Sequence, residues 1–253
     1  MPVDRLAEIV ELARTTGGVD VEALATLFAV SEQTIRKDLK TLDERGELRR
    51  VHGGAVYPSS RENLEYEARR RMAATQKDAI GKAAAALIPD GSAVFVNIGT
   101  TTEAVARALG AHAGLMIITN NINVANQLRV LPDFEVVIAG GVVRASDGGI
   151  VGEAAVDFFR QFRADFAIIG ASALDEDGGL FDYDFREVKV AQAIIANARH
   201  VILVADSTKF DRQAPVRIAR LNDIGTFVTD RAPDSIRQIC RDSQIGLIET
   251  EER

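Results

Sequence analysis

The chain has 253 residues, 47 % of them apolar, a net charge of −7, one cysteine (Cys240) and no tryptophan. That share of apolar residues supports real cores and argues against disorder, and no stretch reaches the ~20 apolar residues of a membrane helix, so no membrane partner is expected. A single cysteine excludes an internal disulfide and suits a reducing, cytoplasmic setting, and the charges spread through residues 1–10 are unlike a secretory leader. The acidic total leaves a nucleic-acid partner open, because DNA meets only the face turned toward it.

Leu6, Ile9, Val10 and Ala13 recur at helical spacing and predict a first amphipathic helix ending at Gly17-Gly18. Asp20 is placed to cap a second short helix over 21–28, with Leu24, Leu27 and Phe28 on its apolar side. Ser31 caps a third, whose inward face is Ile35, Leu39 and Leu42 and which Gly46 ends. Residues 47–56 carry β-prone stretches around Gly53-Gly54 and read as a small hairpin, or wing. Residues 1–57 are therefore expected to form a winged helix-turn-helix. Pro58-Ser59-Ser60 marks a boundary, and the charged run from Arg61 to Lys77 reads as a solvated linker helix, placing a linker at 58–75 and a second domain at 76–253.

From Gln76 onward the pattern changes. Apolar, β-branched runs at 93–98, 115–119, 136–139, 166–170, 201–205, 225–229 and 245–248 alternate with helical stretches at 102–109, 122–130, 153–162, 185–198 and 234–240. The alternation predicts an α/β domain with a largely parallel sheet covered by helices on both faces.

In a helix-turn-helix the second helix of the motif enters the major groove and its N-terminal residues meet base edges. Those positions hold Ser31, Gln33, Thr34, Arg36 and Lys37, with Lys40 one turn on. Glutamine pairs with adenine, arginine with guanine, and a threonine methyl touches the thymine methyl. Arg49, Arg50 and His52 in the wing are expected to reach a phosphate or the minor groove, positioning more than specifying. The alternative, basic residues that only keep a helical subdomain soluble, does not require this order of short helix, tight turn, polar-then-basic helix and basic hairpin. The run "VSEQTIRKDLKTLDERGELRRVHGGA", 30–55, resembles the signature of the DeoR family of bacterial regulators, whose first domain is a winged helix-turn-helix. The resemblance implies double-stranded operator DNA as a partner. Paired half-sites then call for a homo-oligomer, a dimer or a tetramer.

Three polar stretches follow the first three strands of the second domain: Gly99, Thr100, Thr101 and Thr102; Thr119, Asn120 and Asn121; Gly140 and Gly141. Ligands of open parallel sheets sit beyond the carboxyl ends of the strands. The three stretches are expected to converge there as a phosphate cradle, aided by the free amides and dipole of the helix that starts near Thr102. Lys209, after the fifth strand, adds a full positive charge. Within the acidic run 175–187, most of it expected to be a solvated loop, Asp184 and Glu187 are placed to accept polyol hydroxyls. No nucleotide P-loop or dinucleotide fingerprint is present, and His52, His112 and His200 are scattered without zinc spacing, so no metal or cofactor is expected. Gly170–Leu174 lacks the second glycine of a nucleophile elbow.

The stretches "IGTTTEAVARAL", "TNNINVANQL", "AGGVVRASDGGIVGEAAVDFFRQFRADF" and "DFREVKVAQAIIANARHVILVADSTKF" resemble the sensor domain of the same family, a fold similar to ribose-5-phosphate isomerase and glucosamine-6-phosphate deaminase. The resemblance implies a repressor of a carbon-catabolic operon, induced by a phosphorylated sugar or polyol, with glycerol 3-phosphate favoured. Asn97 departs from the acid that relatives commonly carry there. Ile169 and Ser172 stand where the isomerases carry acids. A pocket that keeps its phosphate grip and lacks its general base binds without turnover, so no enzyme and no catalytic residue is expected.

Overall fold

The computed structural model describes residues 5–16, 18–51, 53–56 and 66–251. The chain divides into two units, 1–64 and 65–253.

The first unit runs α1 (Arg5–Thr16), β1 (Gly18–Asp20), α2 (Val21–Phe28), α3 (Glu32–Glu44), β2 (Arg49–Val51) and β3 (Gly54–Val56). Ile9 and Ala13 of α1, Val21 and Leu24 of α2 and Ile35, Leu39 and Leu42 of α3 close on Leu48 and Ala55 as one core. Spacings of three and four place these residues on one face of each helix, and burial of those faces holds the helices together. Asp20 Oδ1 accepts the amides of Glu22 and Ala23 at 2.8 and 3.1 Å, capping α2. Ala29 turns the chain between α2 and α3 in the left-handed region (φ 53°). β2 and β3 pair antiparallel as the wing, and β3 also pairs with β1, a strand the periodicity had not separated from the end of the first helix. That pairing requires glycine at 54, where a Cβ would lie 2.1 Å from the carbonyl oxygen of Val19.

The second unit opens with α4 (Tyr66–Arg71) and α5 (Ala74–Ala85), followed by β4 (Ala93–Val96), α6 (Thr100–Leu109), β5 (Met116–Thr119), α7 (Ile122–Leu128) and β6 (Glu135–Ile138). The short strands β7 (Val142–Val143) and β8 (Ile150–Val151) pair antiparallel before α8 (Glu153–Phe159). Then come β9 (Ala164–Ile169), β10 (Ala173–Leu174), β11 (Gly179–Asp182), α9 (Phe185–Ala196), β12 (Ala198–Val204), a 3-10 turn over Ser207–Lys209 and β13 (Val216–Arg220). β14 (Thr226–Thr229), α10 (Asp234–Asp242) and β15 (Gly246–Glu249) complete it.

Seven strands form a parallel sheet in the order β15-β14-β12-β9-β4-β5-β6. The two-residue alternation of strands divides its side chains between two cores. Val94, Val96, Ile117 and Ile202 face α5, α6 and α7, while Phe95, Ile118, Leu203 and Phe227 face α8, α9 and α10. A second, antiparallel sheet joins β10, β11 and β13.

Two expectations need correction. The charged run ending at Lys77 is not a single solvated helix: its described part is α4 and the start of α5, and Lys77 is only 3 % exposed. Its ammonium donates to the carbonyls of Arg69 and Met72, while Ile80, Ala84 and Ala85 carry α5 onto the sheet. The acidic run 175–187 is not mostly loop either. Asp175–Gly178 turns the hairpin between β10 and β11, and Asp182 is buried at the end of β11.

Candidate functional site

The first unit presents one polar helical face. Ser31 Oγ accepts the Thr34 amide at 3.2 Å and caps α3, which fixes the register of everything after it. With Ile35, Leu39 and Leu42 inward, Gln33, Arg36, Lys37 and Lys40 are exposed on the other side and Thr34 is half-buried. Among the described residues Arg36 and Lys40 pair with Glu32 and Glu44 one turn away, at 2.7 and 3.6 Å, exposed contacts worth a few tenths of a kcal/mol. A polyanion can displace both. In the wing Arg50 is exposed and its amide donates to Asp43 Oδ1 at 3.0 Å. Arg49 lies in β2, its side chain outside the described set, and His52 lies outside the described residues.

Strand order dictates where a ligand site can form in the second unit. From β4 the chain proceeds to β5 on one side, and from β9 it proceeds to β12 on the other, so the direction of travel reverses between β4 and β9. A crevice beyond the carboxyl ends opens at such a switch point. A solvent-open cleft of about 380 Å³ lies there, lined by residues 98–102 after β4, 170–172 after β9, and Val204 and Lys209 of the β12 end. Arg69, Asp182 and Glu187 complete the lining.

Gly99 precedes α6 with φ 148°, a conformation side chains disfavour, and lets the chain turn sharply into the helix. Thr102 Oγ1 lies 2.8 Å from both the Asn97 and Gly99 carbonyls and pins that turn. The amides of Thr100, Thr101 and Thr102 occupy the first turn, where no intrahelical acceptor exists and the helix dipole favours negative charge. Lys209 is 8 % exposed, and no described residue accepts a hydrogen bond from its ammonium. Burial, with Arg212 adding repulsion and Asp206 opposing it, pushes its pKa down to about 7. Arg69 Nε is buried without a partner among the described residues, and its Nη2 lies 3.5 Å from Asp147 Oδ2.

Acids line the cleft beside these cations. Ser172 Oγ donates to Asp182 Oδ2 at 3.0 Å, and the Tyr183 amide donates to Asp182 Oδ1 at 2.6 Å. Burial holds Asp182 above the usual carboxylate range in spite of both bonds. Glu187 is raised to about 8 by burial and by Asp182, with Arg144 opposing. Arg144 donates to Glu187 at 2.5 Å, to Asp147 at 2.6 Å and to Asp184 at 3.3 Å, so three carboxylates share one guanidinium.

Of the ligand-binding residues expected from the sequence, Gly99, Thr100, Thr101, Thr102, Glu187 and Lys209 line the cleft. The second and third polar stretches do not. Thr119 Oγ1 donates to the Val96 carbonyl at 2.6 Å, Asn120 Nδ2 to the Ile150 carbonyl at 3.0 Å, and Asn121 caps α7 and donates to Glu103 at 3.0 Å. These groups are buried as the joinery of β5, and β5 and β6 lie on the far side of β4 from the switch point. Gly140 and Gly141 are exposed at the end of β6. Asp184 caps α9 and is held at about 2 by its bond to Arg186, spent on structure rather than facing the cleft. Arg69, Ser172 and Asp182 were missed. Asp177-Gly178 between Ala173-Leu174 and Leu180-Phe181 is a hairpin signal that would have carried Asp182 to the site.

Among the described residues no helix is long and apolar enough to cross a membrane. Comparison with known proteins matches residues 5–61 to a DeoR-like helix-turn-helix domain and residues 72–231 to the DeoR C-terminal sensor domain. The chain is 46 % identical over 240 residues to the glycerol-3-phosphate regulon repressor of Escherichia coli strain K12, covering 94 % of this chain and 95 % of that one. It is 40 % identical to the HTH-type transcriptional repressor CsqR of the same strain, over 95 % of this chain and 93 % of that one. Ribose 5-phosphate isomerase A of Methanocaldococcus jannaschii is a similar solved structure, with 16 % identity, a TM-score of 0.41 and 55 % of each chain covered. With its reading helix inside one matched domain and the cleft-lining strands β4, β9 and β12 inside the other, and relatives matched nearly end to end, this chain belongs to the DeoR family of transcriptional regulators, not to the enzymes.

Proposed function

We propose that this chain is a cytoplasmic repressor of a carbon-catabolic operon, released from operator DNA by a small phosphorylated polyol, with glycerol 3-phosphate the favoured effector. The head over 1–57 reads the duplex through Gln33, Thr34, Arg36 and Lys37, with Lys40, Arg49, Arg50 and His52 on the backbone. Residues 58–75 lead from it into the sensor over 76–253, with α4 already part of the sensor's unit. A dimer or tetramer of the chain holds two heads over paired half-sites.

The observation that carries the effector half is the largely buried Lys209, whose ammonium has no described hydrogen-bond acceptor, lining the same cleft as the first-turn amides of Thr100–102. A phosphate dianion supplies the acceptors these donors lack. The name of the 46 % identical relative supports the choice of glycerol 3-phosphate.

Coupling has a candidate carrier. α4 contributes Arg69 to the cleft lining, and its Tyr66 hydroxyl donates at 2.6 Å to Glu103 in the first turn of α6, the helix that cradles the phosphate. A ligand that draws on Arg69 and on the α6 terminus therefore acts on the helix that follows the head in sequence. Coupling of ~1–3 kcal/mol weakens operator affinity about 5- to 150-fold.

The test selects duplexes from a randomised pool with the full chain, then titrates glycerol 3-phosphate into the selected complex while following anisotropy. A 5- to 150-fold loss of affinity is expected. No enriched sequence, or a complex indifferent to phosphorylated polyols and sugars alike, would overturn the reading.

A further inference from the structure

The phosphate reading uses the cations and amides of the cleft and leaves two of its buried acids without a task. Asp182 is 6 % exposed and Glu187 7 % exposed, and both line the cleft. They come from a different layer than the phosphate cradle: Asp182 from β11 of the antiparallel sheet, Glu187 from the first turn of α9. Neither acid has its charge fully spent. Asp182 receives one hydroxyl and one amide, and Glu187 shares Arg144 with Asp147 and Asp184.

We propose that Asp182 and Glu187, with Ser172, form a hydroxyl-reading subsite that admits phosphate esters of a neutral polyol and rejects esters carrying a second negative charge. This rests on the phosphate site proposed above. A hydroxyl bound beside these acids can donate to an ionised carboxylate or accept from a protonated one. Burial raises both acids, and Glu187, pushed up to about 8, keeps its proton at neutral pH, so the subsite can donate as well as accept. A ligand carboxylate in the same place adds a third acid to a buried pair that already resists ionising, so it enters only by taking up a proton or at a cost of several kcal/mol in desolvation and repulsion. Arg144 offers no relief, because its three carboxylate partners already outnumber its charge. It is a positioning residue, holding Glu187 at 2.5 Å toward the cleft. Sites built to bond a hydroxyl discriminate strongly, since a wrong ligand leaves buried polar groups unpaired.

The experiment is isothermal titration of the full chain with three probes: inorganic phosphate, glycerol 3-phosphate and 3-phosphoglycerate, in which a carboxylate replaces the terminal CH2OH. The wild-type chain is expected to bind glycerol 3-phosphate at least about 100-fold more tightly than 3-phosphoglycerate. Asp182→Asn and Glu187→Gln, near-isosteric and neutral, are each expected to narrow that ratio by on the order of tenfold while affinity for inorganic phosphate holds. Equal affinity of the wild type for the two esters overturns the proposal, whatever the variants do. A preference that both variants leave unchanged overturns the assignment to these acids. Failure of all three probes, inorganic phosphate included, overturns the phosphate site itself and this subsite with it.

Discussion

Arg36 on the reading helix is 61 % exposed and paired with a neighbouring exposed glutamate, whereas Lys209 in the cleft is 8 % exposed with no described acceptor for its ammonium. Both are cations proposed to meet a polyanion, Arg36 at the base edges of a duplex and Lys209 at the phosphate of a small effector, yet they are kept in opposite conditions. A solvated arginine costs nothing to maintain, and its gain on binding comes from released counterions, so it falls steeply with salt. A buried lysine carries its desolvation cost before the ligand arrives, which is why its pKa is pushed down to about 7. The head is therefore a surface ready for any polyanion and made specific by geometry. The cleft is a site that discriminates because its polar groups are buried. Separate experiments can break that contrast.

The largest effect belongs to the small core of the head. Leu39 is fully buried among eight other buried apolar residues of that unit. Leu39→Ala is expected to cost about 2–5 kcal/mol, enough to unfold much of the head. Effector titration of the same variant should be unchanged, and a parallel loss of effector binding would show that the two sites do not stand apart.

Lys209→Met comes next. Replacing a charged donor to phosphate is expected to weaken effector binding by about 1.5–3 kcal/mol, or roughly 10- to 150-fold, with operator affinity intact in the absence of effector. The pH dependence sharpens the same point. Stability rises with pH wherever the unfolded chain binds more protons. Burial pushes Lys209 down to about 7 in the folded chain against 10.5 for a solvated lysine, so its stabilising contribution is complete above 10.5 and is lost as pH falls through 7. Glu187 titrates near 8 against 4.5, so its contribution is complete below 4.5 and is lost as pH rises through 8. Together they lower stability from 4.5 to 7, cancel between 7 and 8, and raise it from 8 to 10.5. Charges facing Lys209 are Arg212, Asp206, Lys77 and Arg69, and those facing Glu187 are Asp182, Arg144 and Asp147. Denaturant midpoints across pH should lose the rising limb in Lys209→Met and the falling limb in Glu187→Gln. Effector affinity should fall as pH climbs above 7, since a phosphate favours the charged lysine. An affinity flat from pH 7 to 9 would place the phosphate away from Lys209.

Arg36→Ala removes an exposed donor. Loss of a base-reading pair is expected to cost about 1–3 kcal/mol of operator affinity and to relax specificity at one position. Head stability should hold, because the pair to Glu32 is solvated. Uniform weakening on all sequences would move Arg36 from base reading to the phosphate backbone.

The same contrast explains what was legible in the sequence. Ile35, Leu39 and Leu42 are separated by three and four residues, and a periodicity of that kind is a local property that survives without knowledge of the rest of the fold. So the reading helix, its Ser31 cap and its exposed face could be read directly. The cleft depends on strand order, which no local pattern records. Thr119–Asn121 resemble Gly99–Thr102 as polar turns after strands, yet β5 lies on one side of β4 and the switch point on the other. Asp182 was half-legible: the turn signal at Asp177-Gly178 marks its strand, while the second pairing that fixes that strand, β11 with β13, spans more than thirty residues of chain. Arg69 looked like one charge among many in a run whose helices proved to be packed rather than solvated.

The smallest expected effect tests whether the head stores strain that the cleft does not. Ala29 sits at φ 53° and ψ 43° between α2 and α3, with its methyl exposed. For a residue with a Cβ that region costs roughly 1–2 kcal/mol, which glycine avoids. Glycine loses more backbone freedom on folding, so the net gain of Ala29→Gly is expected to be about 0.5–1 kcal/mol. In a unit of this size that corresponds to a rise of a few degrees in the melting of the head. Because the exposed methyl packs on nothing that would be lost, a fall in melting temperature would mean the backbone there is held by something other than local sterics. Operator affinity should stay level or drop slightly, since a freer turn holds α3 less firmly against α2. If affinity instead rises with stability, the strain at Ala29 opposes docking of the reading helix, and the turn itself sets part of the affinity that the exposed side chains were expected to set alone.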